Sequence, residues 1–308
     1  MSETILVTGG YGFLGRAAAA KFKSRGNRVV GIGNGRWDAA EYRMHGFDAW
    51  FDSPVTLSSL LTLDEQFGVI VHCAGNGSVG YSVEHPLQDF QKTVVSTAEV
   101  LEYMRLNNPG AMLIYPSSAG VYGAKNDAPI KESDSLNPIS PYGFHKRIVE
   151  ELCQSYSRSY GLRVAIIRFF SIYGPGLTKQ LLWDACTKLT SSQNEAVFWG
   201  TGDETRDWIN IDDATELILR CADSERQFSI LNGASGKRVT VKDVLSMLRK
   251  DLDCAAEVRF NNQVREGDPR YYHADISEAV NIGWMPAVTL QDGIRRYIQW
   301  FRKHCTTA

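Results

Sequence analysis

The stretch T-I-L-V-T-G-G-Y-G-F-L-G, residues 4–15, decides the fold. Its first half, with Ile5 to Val7 continuously apolar, reads as a buried strand over residues 4–7. It then breaks into Gly9, Gly12 and Gly15, three residues apart, and an Ala-rich segment follows that reads as a helix over residues 13–25. Strand, glycine turn and helix in this order form a cradle for a nucleotide. Glycine permits the tight turn and close backbone approach, and the helix N-terminus offers N–H groups and a positive dipole end to a pyrophosphate. Gly9, Gly12, Phe13, Leu14 and Gly15 are therefore expected at a dinucleotide cofactor.

Outward from this unit, apolar strand-like runs alternate with helical segments. Further strands are expected at residues 28–32, 47–51, 69–73, 112–115 and 162–170, with helices over 86–106 and 141–160. Near-continuous apolar strands separated by helices predict an α/β fold, a Rossmann-type doubly wound parallel sheet covered on both faces. After about Tyr173 the rhythm changes. Helices are expected at 180–189, 213–222, 241–252 and 290–303, with short strands at 196–199 and 228–231. No linker rich in Pro, Gly or Ser divides the chain. The expectation is a dinucleotide-binding domain over residues 1–174 and a smaller mixed lobe over 175–308, interleaved, with the boundary near 174–177.

With 308 residues the chain can bury a substantial core, and 44% hydrophobic and 22% charged residues are ordinary for a globular protein. A formal net charge of −2 gives no electrostatic reason to expect nucleic acid or an anionic membrane, so an anionic ligand must be held by local donors. Cys73, Cys153, Cys186, Cys221, Cys254 and Cys305 lack paired spacing, which argues for reduced thiols and against a metal site or disulfide framework. The first residues carry no basic leader, and no apolar run approaches the roughly 20 residues of a membrane span. A cytoplasmic location is expected.

The G-x-x-G-x-x-G spacing, with H-C-A-G (residues 72–75) ending the fourth strand, resembles the short-chain dehydrogenase/reductase superfamily. Two further segments narrow the resemblance. I-S-P-Y-G-F-H-K (139–146) carries Tyr142 and Lys146 at i, i+4, on one face of a helix that Pro141 can start. Y-P-S-S-A-G-V-Y-G (115–123) precedes it after the fifth strand. Across almost the whole chain these motifs resemble the extended members of the superfamily, the NAD(P)-dependent nucleotide-sugar epimerases, dehydratases and reductases.

The resemblance implies a role for each matched residue. Tyr142 would exchange a proton with a sugar oxygen, and Lys146 would lower its pKa and hold the nicotinamide ribose. Ser118, with Ser117 as fallback, would hydrogen-bond the reacting oxygen, and Tyr122 would pack structurally. Ala74 and Gly75 would lie along the cofactor, and Asp52 would accept from the adenine amino group. R-F-F-S-I-Y-G-P-G (168–176) would run beneath the nicotinamide into the substrate cleft, with Ser171 where the family usually has Asn. Arg206 in T-R-D-W-I-N-I-D-D (205–213) and Arg265 in V-R-E-G-D (264–268) would clamp the substrate diphosphate as bidentate donors. Ser78 is a further substrate contact, and Trp199 either nears the base or packs in the core. A homodimer through helices 86–106 and 141–160 is also implied.

Two departures bear on the chemistry. Ala119 and Gly120 follow Ser118 where dehydratases and decarboxylases of this kind usually carry an acid, so elimination and decarboxylation are disfavoured. In V-V-G-I-G-N-G-R-W (29–37) the second strand ends in Gly33 where NAD-binding members usually have Asp or Glu. Gly33 removes a carboxylate that would repel a 2′-phosphate, while Asn34 and Arg36 offer donors to one, which favours NADP(H), with NAD(H) as alternative. The sequence therefore favours an NADPH-dependent 4-keto-sugar reductase acting on a nucleotide-diphosphate sugar. A 4-epimerase with tightly bound NAD and, from another class, a non-catalytic dinucleotide sensor remain as alternatives.

Overall fold

The computed structural model describes residues 3–192, 194–263 and 269–305. Six strands alternate with helices through its first half: β1 (Thr4–Thr8), β2 (Arg28–Gly33), β3 (Ala49–Asp52), β4 (Val69–His72), β5 (Met112–Ser118) and β6 (Arg163–Phe169). The helices between them are α1 (Phe13–Ser24), α2 (Ala39–Met44), α3 (Leu57–Leu60), α4 (Val79–Glu84), α5 (Pro86–Phe90), α6 (Ser96–Asn107) and α7 (Pro141–Tyr160). The second half holds β7 (Ser171–Tyr173), α8 (Gln180–Ser191), β8 (Glu195–Phe198), β9 (Thr205–Arg206), β10 (Trp208–Asn210), α9 (Ile211–Ala222) and β11 (Phe228–Gly233). It ends with β12 (Val239–Thr240), α10 (Val241–Leu252), β13 (Glu257–Phe260), α11 (Ser277–Asn281) and α12 (Leu290–Cys305).

The central sheet is parallel throughout, in the order β11-β6-β5-β4-β1-β2-β3. Side chains alternate across it. Ile5 and Val7 of β1 join the core on the α1 and α9 side, while Leu6 joins the core shared with α3, α6 and α7. The strand order reverses between β1 and β4, and in an open α/β sheet ligands bind outside the carboxyl ends of the strands at such a point. A third core, with Leu182, Val244 and Tyr297, packs α8, α10 and α12 together as a smaller lobe.

The chain leaves the sheet after β6 and comes back to it. α9 covers one face, and β11 pairs with β6 as the sheet's edge strand. The segment expected as a single helix over 86–106 is α5 and α6 joined by a π-helical turn, Gln91–Val95. One extra residue per turn there rotates the face that α6 presents.

Candidate active site

The cofactor end is built by the carboxyl ends of the strands around the reversal point. Gly9 lies in the left-handed region at φ +64, and a Cβ on it would stand 2.5 Å from the Ala74 backbone nitrogen. A Cβ on Gly15 would stand 2.6 Å from the Gly9 carbonyl oxygen, so the first turn of α1 can close on the strand end only without side chains. Gly12 N donates to Gly9 O at 3.0 Å. Gly12 caps α1 with no side-chain hydrogen bond, and no acid occupies the first helical turn. Among the described residues the N–H groups of this turn therefore have no side-chain acceptor, and they suit a pyrophosphate. Across from it, Ala74 N donates to Thr8 Oγ1 at 3.2 Å, and Gly75 follows with φ +131. These features fit a dinucleotide.

At the end of the second strand, Gly33 closes β2, and Asn34 and Arg36 are exposed on the loop beyond it. Among the described residues no hydrogen bond or ion pair engages the Arg36 guanidinium. Asp52, beside Gly33 in the sheet, accepts from Gly35 N at 3.1 Å.

At the chemical end, α7 starts where the sequence predicts. Ser140 caps it by accepting from Gly143 N at 3.2 Å, Pro141 occupies the first turn, and Gly161 ends it at φ +71. This fixes Tyr142 and Lys146 on the face turned to β5. Ser118, the last residue of β5, faces Tyr142 closely enough to favour its phenolate, and its Oγ accepts from Gly120 N at 3.1 Å. Tyr142 N donates to Ser82 Oγ at 3.0 Å, which ties the start of α7 to α4.

The protein's own groups hold the Tyr142 phenol above its ordinary range; the sequence reading has Lys146 and an oxidised nicotinamide together favour the phenolate. Burial raises the Tyr142 pKa above its ordinary value; the Ser118 side chain offsets part of the rise, and the charge of Asp89 adds to it. Burial lowers Lys146 to about 8 against the opposing pull of Cys73, Asp89 and Glu150. Its Nζ donates to Pro116 O at 2.9 Å and lies 4.6 Å from the Tyr115 ring centre, but 5.9 Å from that of Tyr142. Desolvation therefore dominates the Tyr142 phenol.

A cleft of about 180 Å³ opens above this pair and is lined by Ser118, Gly120, Tyr142, Ser171, Arg206 and Tyr272, among others. Four residues predicted from separate motifs, Ser118, Tyr142, Ser171 and Arg206, thus share one wall system. Arg206 Nη1 donates to the Thr205 and Pro269 carbonyls at 2.8 Å. Ser117 is excluded as the catalytic fallback: its hydroxyl is buried and donates to Glu150 Oε1 at 2.5 Å. Tyr122 is buried and donates to Asn232 Oδ1 at 2.7 Å. The Ser78 hydroxyl caps α4 by accepting from Tyr81 N, and its neighbour Val79 lines the cleft instead. Trp199 is half exposed outside the cleft lining. Arg265 lies outside the described residues.

The sequence reading missed two features. Tyr272 lines the cleft and donates its hydroxyl to Ala119 O, which braces the turn after Ser118. Buried Asp89 of α5 joins α7 to the loop before α4: it meets His145 Nδ1 at 2.5 Å and accepts from Asn76 Nδ2 at 2.8 Å. His145 inside the Tyr–Lys motif was the available signal for this second feature.

A sequence model described as the NAD dependent epimerase/dehydratase family matches residues 5–232. The Arabidopsis thaliana protein UDP-glucuronate 4-epimerase 4 is 28% identical over 97% of this chain and 75% of its own length. Among solved structures, UDP-N-acetylglucosamine 4-epimerase of Methanobrevibacter ruminantium, in complex with UDP-N-acetylmuramic acid, superposes with TM-score 0.88 at 24% identity. UDP-glucuronic acid 4-epimerase of Bacillus cereus, in complex with UDP-glucuronic acid and NAD, gives 0.87 at 24% identity. Each alignment covers 98% of this chain and 99% of the other. These two structures share the fold.

Proposed function

The chain belongs to the NAD dependent epimerase/dehydratase family, and on that premise we propose that it is a UDP-sugar 4-epimerase working with one retained NAD. The sequence favours an NADPH-linked reductase; the relatives, named as 4-epimerases and in one case solved with NAD, favour the alternative. The observation that carries the reading is the composition of the reacting centre. Tyr142 and Ser118 meet at the cleft floor, and a side chain at position 120 would face both, its Cβ 3.4 Å from Ser118 Oγ and 3.5 Å from the Tyr142 ring. That position is Gly120. The site can move one proton at one oxygen, and no acid stands there to expel water or a carboxyl group.

When bound, NAD would supply the acceptance and return of hydride at the sugar's C4. This chain's residues do the rest. Tyr142 takes the proton of the 4-hydroxyl and later gives it back, while Ser118 holds the same oxygen. Lys146 in its charged form stabilises the Tyr142 phenolate, and Arg206 binds the diphosphate. Epimerisation would further require the sugar to present its other face while Tyr142 and Ser118 hold the same oxygen. We further propose a homodimer, because Leu87 of α5, Val95 of the π-helical turn, Leu106 of α6 and Phe144 and Ile148 of α7 are large, apolar and exposed.

The test is to incubate the purified enzyme with UDP-glucose, UDP-glucuronic acid and UDP-N-acetylglucosamine, adding no cofactor, and to follow the anomeric proton signals. Interconversion of one sugar with its C4 epimer, with NAD released on denaturation, is the expected result. Steady NADPH oxidation with a 4-keto sugar, and no epimer, would restore the reductase reading.

A further inference from the structure

Tyr142 is the second residue of α7, and helix ends fray, so the aim of its hydroxyl depends on what braces the first turns. One brace is the bond from Tyr142 N to Ser82 Oγ. The other is a buried carboxylate. Asp89 is the only buried residue of α5, fully out of solvent, and its Oδ2 meets His145 Nδ1 at 2.5 Å. His145 lies between Tyr142 and Lys146 in the sequence, outside the cleft lining, with Phe90 edge-on to its ring at 5.4 Å between centres. The second oxygen, Asp89 Oδ1, accepts from Asn76 Nδ2 at 2.8 Å. Asn76 in turn holds its own loop, donating to Ser78 O at 2.8 Å and accepting from Ser78 N at 3.0 Å. That loop runs from Gly75, at the cofactor end, to Val79 in the cleft wall. A single carboxylate therefore fastens the helix that carries Tyr142 to the loop that carries the opposite wall. A buried carboxylate is a costly way to fill such a place, and among the described residues no Lys or Arg forms an ion pair with it. Its charge also bears on the reacting centre, disfavouring the Tyr142 phenolate and favouring the Lys146 ammonium.

We propose that Asp89 and His145 are a positioning pair for the reaction: through His145 and Asn76, Asp89 sets Tyr142 against the cleft wall formed by residues 75–79. The inference rests on Tyr142 as the group that exchanges the proton, and it holds for epimerisation and for 4-keto reduction alike. The Ser82 bond stops the start of α7 from sliding along its axis, and the grip on His145, three residues on, stops the first turn from rotating about it. With both in place the phenol approaches a sugar oxygen at Ser118 in one orientation, which is where proximity contributes to rate.

The test compares wild type with Asp89→Leu, His145→Leu, the double variant and Asp89→Asn. It reads kcat and KM for the sugar the enzyme turns over, with bound cofactor quantified and folding checked by urea unfolding. Leucine fills the place of Asp89 with neither charge nor hydrogen bond. Asparagine keeps both bonds, its oxygen accepting from Asn76 and its amide donating to His145 in the other tautomer. Each leucine variant should lower kcat by about 10–100-fold with KM within about threefold, the scale of lost support behind a reacting group. The double variant should be no slower than the slower single one, and Asp89→Asn should stay within about threefold of wild type in kcat. Unchanged kcat in the leucine variants, additive losses, a loss accounted for by released cofactor, or an Asp89→Asn as slow as Asp89→Leu overturns the assignment. Should Asp89→Leu not fold, His145→Leu and Asp89→Asn decide it. If Tyr142→Phe keeps wild-type turnover, the reading of Tyr142 fails instead.

Discussion

Replacing Lys146 by methionine should make the cofactor-free protein more stable while removing its activity. The ammonium is buried, and burial brings its pKa from 10.5 to about 8. A fall of that size means that charging this group opposes folding by roughly 3 kcal/mol wherever both states are protonated. The unfolded chain binds more protons than the folded one between pH 8 and 10.5, so stability rises through that window as the penalty is relieved. Below pH 8 the penalty is fully present. Methionine removes it along with the bond to Pro116 O and the contact with the Tyr115 ring, which offset part of the gain. At pH 7 the variant should therefore be more stable by about 1–3 kcal/mol, a few degrees in Tm for a chain of this size. Urea unfolding of both nucleotide-stripped proteins from pH 6 to 10.5 reads the difference directly, and it should shrink toward zero at the alkaline end. A less stable variant at pH 7, or a difference that does not change with pH, would refute the reasoning.

Two further outcomes follow from the site. Tyr142→Phe should lower the epimerisation rate by at least 10²-fold, the ordinary contribution of a positioned acid–base group, with NAD affinity within a few-fold of wild type; unchanged turnover would remove Tyr142 from the chemistry. Glu150→Ala should destabilise the protein by about 3–5 kcal/mol, because buried Arg168, which donates to both Glu150 oxygens, would keep an uncompensated charge; a loss under 1 kcal/mol in urea unfolding would contradict this.

The features legible in the sequence are those whose meaning is local. The glycine triad between β1 and α1 and the Ser140–Lys146 segment are short stretches in which turn, cap and helical spacing all agree. The structure places both at the expected ends of their elements. What escaped depends on which distant residues become neighbours. β11 is a plain apolar run that could pair with any strand, and only the return of the chain over α9 sets it beside β6. The π-helical turn at Gln91–Val95 carries no composition that separates it from an ordinary helix. The two serines of β5 look alike, but strand alternation sends Ser117 to Glu150 and Ser118 to the cleft. Gly33 suggested room for a 2′-phosphate; that Asp52 stands opposite it on the next strand is a matter of strand register, which cannot be read from residues 29–37 alone.

The most direct test of the account is the fate of the hydrogen at C4. A UDP-hexose that this enzyme interconverts, deuterated at C4 and incubated in ordinary water without added cofactor, should yield the epimer with the deuterium still at C4. The hydride would then have left and returned within one closed site. Loss of the label to water, or its appearance in released reduced cofactor in step with turnover, would contradict the epimerase mechanism.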